Sequence, residues 1–179
     1  NLVIPRYGSI EVMVDIIAAA VISGVNVMYV EAGDIMSGGA DMAKIELRIL
    51  HPGAKTDIKD ENELSMVLKL KYREKTVLFT GDLGESGEYL LLGQGADVGA
   101  DVLKVGHHGS RYSSTEDFIM SVAPSVAVIS AGSSNRYGHP HSETLERLEA
   151  CGARIMSTIE YGAVCVCITD DGLGVTGYR

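Results

Sequence analysis

"LKVGHHGSRYSS", residues 103–114, sets two adjacent histidines, His107 and His108, between glycines at the end of a short apolar run and ahead of a Ser/Thr cluster. Glycine on both sides lets the backbone turn sharply or approach a ligand closely. The pair therefore reads as the tip of a loop after a buried strand. Two neighbouring stretches follow the same plan: "VLFTGD" (77–82) is an apolar run ending at Asp82, and "AVISAGSSNRYGHPH" (127–141) ends on His139 and His141. Between and after these runs lie helix-length segments at 83–93, 113–123 and 142–152. Strands alternating with helices of about ten residues predict βαβ units on a mostly parallel sheet, an α/β fold. In such sheets ligands bind beyond the carboxyl ends of the strands, so the three loops are expected to meet on one edge. Four of the five histidines fall in two of those loops. Carboxylate and imidazole are the donors expected for zinc, manganese or iron.

Outward from this centre, "LSMVLKLKY" (64–72) and "KTVLFTG" (75–81) predict an antiparallel hairpin, and "AKIELRIL" (43–50) alternates like a strand half open to water. "NLVIP" (1–5) and "VNVMYV" (25–30) read as strands flanking a helix that Ser9 caps and that runs to about Ile22, with Gly24 as its stop. Residues 34–42 read as a turn and 51–63 as a polar surface loop. At the other end, 153–159 and 163–169 are expected to close a hairpin around "EYG". No linker or repeat divides the chain, so residues 1–179 form a single domain.

The formal charge of −9 excludes a generally basic surface that grips nucleic acid through its phosphates, so a polyanion must be held locally. The apolar stretch 12–30 carries Asp15 and is broken at Gly24, short of a membrane span. Cys151, Cys165 and Cys167 are an odd set without paired spacing, which argues against a disulfide framework. Cys165 and Cys167 alternate along one face of a strand, where core packing is the expected role.

Each candidate has a plainer reading. Asp82 after Gly81 fits an N-cap of the next helix. His107 and His108 fit a solvated turn, and His139 a helix-entry residue beside Pro140. Asn135, Arg136 and Tyr137 place donors next to His139, and the helix N-terminus that follows favours anions. His141 reads as a first-turn surface residue, His51 as a weak candidate, and "SSTE" (113–116) as a capping box.

In order and spacing, "FTGD" (79–82), "ADVLKVGHHGSRYSS" (100–114), "PSVAVISAG" (124–132) and "NRYGHPH" (135–141) resemble the metallo-β-lactamase-like domain of ComEC-type DNA-uptake channel proteins and their soluble relatives. The resemblance implies an αββα sandwich, a mixed sheet with flanking helices, whose two divalent metals, zinc or manganese, activate water to hydrolyse a phosphodiester in DNA. By position it implies that Asp82 bridges the metals and that His139 is a ligand. The His107/His108 pair supplies a ligand or the proton donor to the leaving group, assigned jointly. Ser110, Asn135, Arg136 and Tyr137 are the expected substrate contacts. The fold's H-x-[HD]-x-D-H signature, which provides most ligands of both metals, is absent from these 179 residues. The chain therefore resembles the C-terminal part of that domain, expected to bind metal weakly or not at all and to be inactive alone. It is expected to self-associate through exposed apolar surface. Its parent is expected to be membrane-associated on the extracytoplasmic face, possessing a channel, with this segment soluble. A metal-poor binding module, or a hydrolase of another ester, is the alternative.

Overall fold

The computed structural model describes residues 1–8, 10–38, 45–54 and 60–178, with the side chains of 10–12 outside the description. The Ser9 cap and parts of the 34–42 turn and the 51–63 loop lie outside the described residues.

A seven-stranded mixed sheet forms the centre, in the order β3 (Ile35–Ser37), β4 (Ile45–His51), β5 (Val67–Tyr72), β6 (Lys75–Phe79), β7 (Val102–Lys104), β8 (Val126–Ile129), β9 (Arg154–Ser157). From β3 to β6 neighbours are antiparallel, and from β6 to β9 they are parallel. The parallel half follows from its crossovers: α2 (Glu85–Gly93), α3 (Glu116–Val122) and α4 (Ser142–Ala150) each return the chain to the same end of the sheet. Asp82, the 106–109 turn and the 130–141 loop therefore all leave from one edge.

Strand alternation sorts the core into two layers. Leu78, Leu103 and Ala127 face Leu91, Phe118, Ile119 and Leu148 from the helices. Their neighbours Val77, Val102 and Val126 face the other way, toward Val164, Val166, Ile168 and Val175 of the hairpin β10 (Ala163–Thr169) and β11 (Gly172–Tyr178). Fully burying a side chain such as Leu103 or Phe118 contributes about 2 to 3 kcal/mol. The layers thus run helices, sheet, second sheet, as an α/β sandwich of the expected class.

The final hairpin differs from expectation. β9 continues the parallel sheet beside β8, and a short helix α5 (Thr158–Tyr161) carries the chain across to β10. The antiparallel partner of β10 is β11, in register from Ala163↔Tyr178 to Thr169↔Gly172. The glycine-rich composition of 172–177 hid this strand, because glycine is depleted in strands and its pattern shows little alternation. Cys165 and Cys167 also depart from their expected core role: Val164, Val166 and Ile168 take the inward face, and Cys167 is exposed.

At the start, β1 (Leu2–Pro5) and β2 (Val27–Val30) pair in parallel around α1 (Ile10–Ile22), as a separate small sheet. α1 leaves Ile16 57% and Ile22 86% exposed, a large apolar surface for so short a helix. No helix among the described residues is long and apolar enough to cross a membrane.

Candidate metal centre

The backbone stitches the three loops together. The His107 amide donates to the Gly81 carbonyl at 3.0 Å, and the His141 amide donates to the Gly109 carbonyl at 2.9 Å. Asn135 closes the third loop: its side-chain oxygen accepts from the His139 amide at 2.9 Å, while its amide donates to the carbonyls of His139 and Gly132 at 2.6 and 2.7 Å. As a result the rings of His107, His108 and His139 lie with centroids 5.5 to 6.5 Å apart, and His141 stands 4.9 Å from His139. The Asp82 carboxylate faces His108 Nε2 at 3.5 Å. Residues up to 57 positions apart in sequence, from Asp82 to His139, share one small volume.

Asp82 is not a helix cap. α2 begins three residues further on, at Glu85, with Gly84 in the cap position and no side-chain cap bond. Nor is the histidine pair an ordinary turn. His107 (φ 46, ψ 44) and His108 (φ 56, ψ 19) are consecutive left-handed residues that are not glycine. Each such residue costs about 1 to 2 kcal/mol relative to right-handed backbone, and strain of this kind collects at functional sites. The conformation aims both rings off the same edge.

The tautomer of His108 follows from its partners. Nδ1 lies 2.7 Å from the Ser130 carbonyl, which can only accept, so Nδ1 carries a proton. In the neutral ring Nε2 is then a bare lone pair aimed at a carboxylate oxygen. A proton on Nε2 or a cation between the two satisfies them. Metal-ligating histidines characteristically donate their other ring nitrogen to a backbone carbonyl in this way. His139 is held below its ordinary pKa, first by burial and then by the neighbouring His141, His107 and His108, with Asp82 acting in the opposite sense. A neutral imidazole is the form that binds a metal.

Several expected contacts take other roles. Ser110 is buried, 2% exposed; its hydroxyl accepts from the Tyr112 amide, and its carbonyl receives the Thr144 hydroxyl at 2.9 Å. It braces the turn behind the histidines, out of reach of a substrate. Both amide donors of Asn135 are likewise committed within its own loop. Arg136 and Tyr137 are exposed and paired, Nη2 to the phenol oxygen at 2.8 Å, and the Tyr137 ring stacks on His139. His51 is 1% exposed, with Nε2 at 2.8 Å from the Glu63 carbonyl and its pKa lowered mainly by burial, a structural histidine inside the sheet. His141 stands in the N-cap position of α4 without a side-chain cap bond, and its Nδ1 accepts the Arg111 amide at 3.1 Å. The cap of α3 is Thr115, accepting from the Phe118 amide, instead of the capping box expected at Ser113.

Sequence reasoning missed two groups. Lys104 reaches back to the Val105 carbonyl at 2.8 Å, and burial lowers the pKa of its amine while Asp82 raises it, so its charge lies under the Asp82 loop. A single lysine in the apolar run "VLKVG" was the available signal. Glu88, fully buried, braces the 113–115 turn from α2.

Gly109 joins the two histidine loops at their closest approach. It has φ +85, and a Cβ there would lie 2.6 Å from Pro140 Cβ. Gly109→Ala is expected to lower folding stability by about 2 to 3 kcal/mol, measured by denaturant titration. Unchanged stability would mean that the loops do not meet as described.

In kind, these donors suit a divalent ion: Asp82 and His139 would hold it, with the 107/108 pair alongside. In number they fall short. Among the described residues no three His, Cys, Asp or Glu side chains are arranged to hold a metal ion.

The family model "Metallo-beta-lactamase superfamily" matches residues 28–133. The chain is 36% identical over 149 residues to ComE operon protein 3 of Bacillus subtilis (strain 168), covering 83% of this chain and 19% of that protein. It is 36% identical over 121 residues to competence protein ComA of Neisseria gonorrhoeae (67% of this chain, 17% of that protein). With Recombination protein 2 of Haemophilus influenzae it shares 34% over 119 residues (66% and 15%). The chain thus spans less than a fifth of the length of these curated relatives.

Proposed function

Because this chain belongs to the metallo-beta-lactamase superfamily, we propose that it contributes one side of a metal-dependent hydrolytic centre that cleaves a phosphodiester, with DNA as the substrate. The observation that carries this reading is the Asp82 carboxylate facing His108 Nε2 at 3.5 Å, with His108 Nδ1 tied to a backbone carbonyl and His139 in the same cluster. The name of one relative, a competence protein, supports a place in competence, and the proposal extends this to DNA uptake by a membrane-associated parent.

In this reading zinc or manganese supplies the activation of water, and residues outside these 179 supply the remaining ligands. The chain's own residues do the rest. Asp82 and His139 would hold the ion. Ser130 fixes the His108 tautomer so that Nε2 faces the reacting groups. His107 or His108 gives a proton to the departing oxygen as general acid. Arg136, exposed on the rim, offers a bidentate fork to a phosphate oxygen pair. With a net charge of −9, affinity for DNA would rest on few such contacts and fall with added salt.

Mn²⁺, a hard ion that avoids thiols, tests the centre directly. Titrated into this chain it should bind weakly, in the micromolar range or above, and binding should vanish in Asp82→Ala combined with His139→Ala. Tight nanomolar binding would contradict the missing-ligand reading. No Mn²⁺ binding at all, before or after substitution, would favour a metal-poor binding module.

A further inference from the structure

Cys165 and Cys167 lie outside the centre just described, on the outward face of β10. Their Sγ atoms are 3.6 Å apart. Neither touches the apolar layer, which Val164, Val166 and Ile168 occupy from the opposite face of the strand. The residues paired with them across the hairpin are Thr176 and Gly174, both exposed and small, so nothing bulky covers the sulfurs from β11.

Two chemistries suit a pair of neighbouring thiols, and the geometry separates them. A disulfide needs the sulfurs at about 2.05 Å, and two residues of strand place the Cα atoms about 6.8 Å apart, the far limit of what a disulfide spans. Closing it would require the strand to buckle. A chelated ion needs no movement. With metal–sulfur bonds of about 2.3 Å, sulfurs 3.6 Å apart subtend about 103° at the ion, near the tetrahedral angle. A linear two-coordinate ion would need them further apart. We propose that Cys165 and Cys167 form a bidentate thiolate site for a soft, thiophilic divalent cation of the zinc and cadmium type, its remaining positions filled by water or small exogenous ligands. Binding converts two thiols to thiolates and releases two protons, with no change of oxidation state. The second thiolate meets an ion already held by the first, so the pair binds far more tightly than either cysteine alone.

The site is independent of the Asp82 and histidine cluster, and so is its test. Cd²⁺ is titrated into the reduced chain, and the ultraviolet thiolate-to-cadmium absorption, which reports sulfur ligation alone, is followed. The expected result is a saturable band at one Cd²⁺ per chain, weakened roughly 100-fold in Cys165→Ser and in Cys167→Ser. The band should be unchanged in Cys151→Ser and in Asp82→Ala. Because both cysteines lie at or near the surface, circular dichroism should show the serine variants folded as wild type. A missing band in the wild type would overturn the proposal, as would a band that survives either serine substitution at full affinity.

Discussion

Replacing Glu88 by alanine is expected to remove about 3 to 5 kcal/mol of folding stability. The Glu88 carboxylate is 0% exposed and accepts the amides of Ser114 and Thr115 at 2.5 and 2.8 Å, the amides that lead into α3. Alanine leaves both N–H groups buried and unpaired at about 1 to 3 kcal/mol each. It also leaves a cavity where the buried carboxyl stood, and removes a negative charge that acts on Arg147. The damage would reach the centre, since Ser113 donates its hydroxyl to the Gly106 carbonyl, and Gly106 enters the histidine turn. Thermal or chemical denaturation measures the loss; a change below about 1 kcal/mol would contradict the network.

The same residue makes stability depend on pH. Burial outweighs the two amide bonds and the pull of Arg147, and raises the Glu88 pKa from 4.5 to about 7. A carboxyl whose folded pKa is raised favours the native state in its protonated form. Its contribution is complete below about pH 4.5, declines as pH rises, and is gone above about pH 7, a swing on the order of 3 kcal/mol. His51 and His139, both lowered by burial, act in the opposite sense, losing stability as pH falls through the histidine range. The difference between wild type and Glu88→Gln, measured at about pH 5 and about pH 8, isolates the carboxyl. Wild type should lose stability relative to Glu88→Gln as pH rises; parallel profiles would remove Glu88 as the cause.

Asp82→Ala should have the opposite profile, with a large effect on chemistry and little on folding. In a protein completed with the missing metal ligands, metal-dependent phosphodiester hydrolysis is expected to fall at least about 10³-fold. Folding stability should change by less than about 0.5 kcal/mol, because the carboxylate is 43% exposed and makes no cap. Loss of stability in step with loss of activity would recast Asp82 as a structural residue, while full activity would remove the centre from this edge of the sheet.

How much of this was legible beforehand differs between elements. β6, β7 and β8 and the helices between them announced themselves by apolar runs ending in glycine, because most of their side chains pack against the helices on one face or the second sheet on the other. The convergence of Asp82, His107, His108 and His139 followed from that pattern, since parallel strands with return helices must place their carboxyl ends on one edge. The destination of the last segment did not follow. The same alternating run at 163–169 fits an antiparallel mate of β9 or a strand of another sheet, and only the short helix at 158–161, which lifts the chain off the main sheet, decides between them.

Local residue order was enough to say which side chains reach the loop edge, because periodicity and glycine position are properties of neighbours along the chain. It could not say which of those side chains are spent on the protein itself. Ser110 and Asn135 read as donors for a ligand, and packing turned both inward, to hold the turns that aim the histidines. Sequence reasoning passed over Glu88 and Lys104, and burial raises the pKa of the first and lowers that of the second. Whether a polar group faces solvent, a ligand or a buried amide often depends on a distant partner, as with Ser110 and Thr144, 34 residues apart, or Glu88 and Ser114, 26 apart, and such contacts exist only once the layers close.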